Sequence, residues 1–120
     1  MFYKTIIAWH KLFDSVNDAA SAIPLNKAQA YTIAGKNICV VHSSEGYFAV
    51  ANKCPHNGFA LSKGYCSDDN AIVCPLHRYR FDLRSGRSKN GGAYYVEPYP
   101  VDERPDGLYI GIKEKKWNLF

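Results

Sequence analysis

The chain has 120 residues, 47% of them apolar and 14% aromatic, with 15 basic against 11 acidic side chains and a formal charge of +4. That is one domain's worth of sequence, apolar enough for a modest core, which excludes a disordered chain. No run of 18 apolar residues occurs, so no membrane-spanning helix is expected, and the short run Thr5-Ile6-Ile7-Ala8-Trp9 has no cleavage site after it. A cytoplasmic protein of a single domain, residues 1–120, is the expectation.

Phe2 to Trp9 reads as a strand in which apolar and polar residues partly alternate. Ser15 and Asp18 then stand at the spacing of a helix-capping pair. Val16, Ala19, Ala20 and Ile23 recur at helical intervals, and Pro24 ends the segment, predicting one short surface helix. Ala28 to Ile33, then Ile38 to Val41, then Tyr47 to Ala51 read as three strands. Gly35-Lys36 and Ser43-Ser44-Glu45-Gly46 form the turns between them, predicting an antiparallel meander. Ala71-Ile72-Val73 and Tyr79 to Asp82 flank a further loop as a hairpin-like insert. Tyr94 to Val101 and Leu108 to Ile112 are predicted as returning strands, joined by the turn Arg104-Pro105-Asp106-Gly107. Nine tyrosines, many glycines and short apolar runs lean towards an all-β fold with antiparallel sheets.

The chemistry is concentrated between Lys53 and Phe81. One loop reads Cys54-Pro55-His56-Asn57-Gly58 and the other Cys74-Pro75-Leu76-His77, with 17 residues between His56 and Cys74. Each loop offers one thiolate and one imidazole. A structural zinc site also mixes Cys and His, but usually pairs C-x₂₋₄-C with H-x₃₋₅-H, which this spacing fits poorly. A zinc-stabilised interaction domain stays open as a remote alternative.

C-x-H followed by C-x-x-H, with a proline after each cysteine, resembles the ligand signature of Rieske iron–sulfur domains. The resemblance implies a Rieske-like antiparallel β-sandwich or barrel with a small inserted cluster-binding subdomain, about residues 53–82. It also implies one [2Fe–2S] cluster, with Cys54 and Cys74 on one iron and His56 and His77 on the other. Two ferric ions, two sulfides, two thiolates and two neutral imidazoles sum to zero charge. Four thiolates would give minus two, so the mixed set accepts an electron more readily. The potential window accordingly lies at about −150 to +300 mV, against roughly −400 mV for plant-type ferredoxins.

The departures from the family pattern are informative. Membrane-anchored Rieske proteins pin their two loops with a disulfide, and the corresponding positions here look like Phe59 and Leu76. The resemblance therefore narrows to soluble Rieske ferredoxins. High-potential members continue with H-G-S-x-Y, whose two hydroxyls donate to cluster sulfurs. This chain reads His77-Arg78-Tyr79-Arg80-Phe81, which lacks both and points to the low end of the window. Arg78 stands where glycine is usual, a position suited to conformations that arginine avoids. Rieske oxygenases carry a further iron held by two His and a carboxylate. Only 43 residues follow His77 and none is His, so an electron carrier without catalysis of its own is expected.

A flavin reductase and a terminal oxygenase or reductase are the implied partners, with no nucleic acid and no membrane, and a monomer is expected. A redox-sensing Rieske module and the small subunit of a nitrite-reductase-like system are the alternatives. Arg78, Arg80, Arg84, Arg87 and Lys89 crowd behind the second loop against Asp82, as either a solvated face or a docking surface for an acidic partner. Cys39 reads as a buried strand residue and Cys66 as a loop thiol of structural role. His10 and His42 are assigned nothing.

Overall fold

A computed structural model describes residues 2–118. Strand β1 (Phe2–Phe13) leads to helix α1 (Val16–Ala22). Ser15 caps the helix as its spacing predicts, its hydroxyl accepting the Asp18 N–H at 3.0 Å. The meander follows as β2 (Ala28–Ile33), β3 (Lys36–Ser43) and β4 (Gly46–Ala51). A turn of 3₁₀-helix (Leu61–Lys63) precedes three short strands, β5 (Tyr65–Ser67), β6 (Ala71–Val73) and β7 (Arg80–Asp82). The chain closes with β8 (Pro98–Tyr99), β9 (Val101–Arg104) and β10 (Gly107–Asn118).

Every strand pair is antiparallel. The strands form three sheets, ordered β1-β10-β9, β2-β3-β4-β8 and β5-β6-β7. Strand β3 explains how the sheets are layered, because its side chains alternate between two cores. Ile38 and Val40 pack with Ile110 and Ile112 of β10, joining the first sheet to the second. Cys39 and Val41 pack with Ile72 and Phe81, joining the second to the third. The expected β-sandwich with a small inserted subdomain is what forms, and the third sheet is that insert. Cys54 and Cys74 lie in the core it shares with the meander.

Four predicted elements differ. Strands β1 and β10 run on to Phe13 and Asn118 and pair along most of their length. Lys113 to Lys116 hid the extension, since charges on both faces give no alternation. Tyr94 to Glu97 is no strand: it makes a single antiparallel bridge, Tyr95 to Arg87, in which the Val96 N–H donates to Gly86 O at 2.8 Å. Gly86 has φ +77, and an added Cβ would lie 1.9 Å from Val96 O, so only glycine allows that approach. Cys66, predicted in a loop, is in β5 with its side chain buried.

Candidate metal centre

The two Cys–His loops are built on one template. In the first, the Cys54 N–H donates to Phe59 O at 2.8 Å; in the second, the Cys74 N–H donates to Tyr79 O at 2.8 Å. Both closures span six residues, and both need a left-handed residue at the fifth position. Gly58 takes it in the first loop at φ 79, and Arg78 takes it in the second at φ 57, preceded by His77 at φ 66. The arginine thus adopts the backbone that glycine would supply.

The closures bring the four sequence-predicted residues together at the tip of the third sheet. Cys54 and Cys74 are fully buried free thiols. Burial pushes the Cys54 thiol up; the N–H groups of His56 and Asn57 aimed at its sulfur oppose this, and the adjoining Cys74 sulfur adds to it. The His56 and His77 rings stand edge to face, 6.0 Å between centroids. His56 is half-buried and its Nδ1 is buried with no hydrogen-bond partner, whereas His77 is exposed. Among the described residues no three of His, Cys, Asp or Glu converge on one point. The two thiols adjoin each other and the two imidazoles face each other, the like-with-like pairing that a binuclear centre with unlike irons would use.

Asn57 does more than turn its own loop. Its Oδ1 accepts the Phe59 N–H at 2.9 Å, while Nδ2 reaches across to Cys74 Sγ at 3.8 Å and Leu76 O at 3.4 Å. It links the two loops. Phe59 and Leu76 are both exposed.

Two tyrosines complete the site. Tyr79 stacks on the His56 ring at 4.0 Å and 23°, and Tyr94 meets it edge-on at 5.1 Å and 82°. The Tyr79 ring is thus engaged with His56, and Phe81 is buried with no donor. The part played by Tyr94 has no signal in the sequence.

The basic cluster behind the second loop is mostly neutralised. Arg80 and Lys89 pair with Asp69 at 2.6 and 3.5 Å, Lys89 also with Asp82 at 3.8 Å, and Arg84 with Glu45 at 2.6 Å. Among the described residues Arg78 and Arg87 have no ion pair, so the expected five-charge patch reduces to these two. Of the spare cysteines, Cys39 is buried, its thiol pushed up to about 12 by desolvation. The Cys66 thiol is also raised, by burial and then by Asp69, Asp68 and Glu45.

A family model for the Rieske [2Fe–2S] domain matches residues 15–100. The chain is 32% identical over 81 residues to the 3-phenylpropionate/cinnamic acid dioxygenase ferredoxin subunit of Photorhabdus laumondii, covering 67% of this chain and 77% of that one. It is 38% identical over 75 residues to the NAD(P)H nitrite reductase of Emericella nidulans, covering 55% of this chain and 7% of that one. The solved ferredoxin of carbazole 1,9a-dioxygenase from Nocardioides aromaticivorans matches with a TM-score of 0.67 at 25% identity, over 75% of this chain and 88% of that one. With its paired Cys–His loops at the tip of a three-stranded insert, this chain belongs to the Rieske [2Fe–2S] domain family, and its cofactor is one Rieske [2Fe–2S] cluster.

Proposed function

We propose that the protein is a one-electron carrier that takes electrons from a flavin reductase and delivers them to a terminal oxygenase, holding its cluster through Cys54, His56, Cys74 and His77. The residues fit the group. Two free buried thiols lie side by side, and the His56 Nδ1 is buried without a hydrogen-bond partner, a place that an iron would fill. The cluster would supply a site that gains and loses one electron; the chain's own residues supply its surroundings. The His56 and Asn57 N–H groups and the Asn57 carboxamide donate towards the cysteine sulfurs, which steadies the added negative charge. The missing serine and tyrosine hydroxyls leave that support incomplete, which favours a potential at the low end of the Rieske window.

The observation that carries this reading is the exposure of His77 at a tip rimmed by apolar groups. Leu76, next to His77 in the chain, is 42% exposed, and Tyr94, against the His56 ring, is 38% exposed. A partner can approach the histidine across a surface that is inexpensive to desolvate, with Arg78 adding a free positive charge. The chain acts as one domain over residues 1–120, in the cytoplasm and as a monomer, and performs no oxygenation itself. The likeness to a nitrite reductase supports a second reading, in which the terminal acceptor is a reductase. Stopped-flow mixing of the reduced protein with candidate oxygenase and reductase components tests both. Reoxidation by one electron per chain is expected with the true partner, and failure to be reduced by any flavin reductase would refute the carrier role.

A further inference from the structure

The two histidines are not equivalent. His56 is covered on one face by Tyr79, and Tyr94 closes against both rings, meeting Tyr79 at 5.7 Å and 88°. His77 has no aromatic neighbour among the described residues other than His56 itself. The loop carrying Tyr94 is fixed on both sides: Ser88 N–H donates to Tyr94 O at 3.1 Å, and Val96 N–H to Gly86 O at 2.8 Å. Gly91 at φ 84 and Gly92 at φ 78 turn the chain so that the Tyr94 ring faces the site, while Tyr95 points out at 53% exposure. No hydrogen bond holds the Tyr94 side chain among the described residues, so its contacts with the site are those of its ring.

We propose that Tyr94 is a positioning residue for electron transfer: with Tyr79 it clamps the His56 ring and closes that side of the site to water, leaving His77 as the open ligand. The inference rests on the assignment of His56 and His77 as the iron ligands. It has a directional consequence. Reduction takes the cluster with its four ligands from net zero to minus one, and water favours the charged state over a dry apolar surround. Removing the ring should therefore raise the midpoint potential. It should also open a second approach for a small oxidant.

The test compares Tyr94→Ala and Tyr94→Phe with the parent, all carrying the cluster. The readouts are the midpoint potential by protein-film voltammetry, reoxidation by a small cationic cobalt complex at matched driving force, and the thermal melt. Tyr94→Ala should shift the midpoint upward and speed reoxidation severalfold, while Tyr94→Phe, which keeps the ring, should behave as the parent. Should Tyr94→Ala hold no cluster, Tyr94→Leu is read in its place, with a smaller upward shift expected. A parent-like midpoint and rate in the truncated variant, or an equal shift in Tyr94→Phe, would overturn the proposal. Those outcomes leave the ligand assignment standing. That assignment fails separately if His56→Ala keeps the parent spectrum.

Discussion

Replacing Arg78 by glycine should make the protein more stable, although arginine is the larger and better-solvated residue. Arg78 is exposed, has no ion pair among the described residues, and sits at φ 57 because the closure of the second loop demands it. A left-handed backbone costs an L-residue about 1–2 kcal/mol. Glycine removes that cost but loses about 0.5–1 kcal/mol more chain entropy on folding. The difference favours glycine by about 0.5–1 kcal/mol, or roughly 2–4 °C in melting temperature for a domain of this size. The first loop supplies the mirror experiment. Gly58 at φ +79 has only Lys53 Cε, at 3.7 Å, near an added Cβ, so Gly58→Ala meets conformational strain and no clash. It should lose about as much as Arg78→Gly gains. Thermal melting of the cluster-loaded proteins, followed by circular dichroism and visible absorbance, measures both. A melting temperature for Arg78→Gly more than about 2 °C below the parent would refute the shared-template reasoning. It would mean that the arginine side chain makes contacts outweighing its backbone cost.

Cys54→Ser, His56→Ala, Cys74→Ser and His77→Ala should each abolish or badly degrade the cluster, while Cys39→Ser and Cys66→Ser leave the visible spectrum unchanged; iron and sulfide analysis beside the spectrum checks this. Arg78→Gln should slow delivery to the partner, and the loss should fade as salt screens charges over about 8–10 Å. Arg84→Gln, which breaks the exposed pair with Glu45 and the contact with the Phe48 ring, should leave delivery near the parent rate; stopped-flow rates at low and high salt separate the two. The midpoint potential should lie near the low end of the Rieske window, about −150 mV, because neither sulfur-directed hydroxyl is present. Voltammetry giving a value above zero would reveal a donor that compensates for them.

Where sequence and structure agree, the cause is local. The Ser15 cap, the meander turns and the two ligand loops each depend on residues within about six positions of one another. Strands of three residues, as in β5, β6 and β7, are too short to show a period of two, so the insert reads as a hairpin and Cys66 as a loop thiol. Tyr94-Tyr95-Val96 has strand-like composition, yet Gly86, Gly91 and Gly92 turn it into a cover for His56. The basic cluster misleads for a related reason. Asp69 and Glu45, which neutralise Arg80 and Arg84, stand 11 and 39 residues away in the chain. The cross-loop bonds of Asn57 span 17 and 19 residues and are likewise set by the fold. The Arg78 backbone lay between these cases. Its oddity is visible beside the family pattern, but the closing hydrogen bond that the two loops share explains how the chain accommodates it.

In the proposed ligand assignment two cysteines hold one iron and two histidines the other. Pulsed EPR of the reduced protein, labelled with ¹⁵N at histidine, tests this at the metal. The low average g-value of a nitrogen-ligated [2Fe–2S] centre is expected, with two distinct histidine nitrogen couplings, one lost in each of any His56 or His77 variants that still hold iron. A signal without histidine coupling, or a colourless protein containing zinc and no iron, would contradict it.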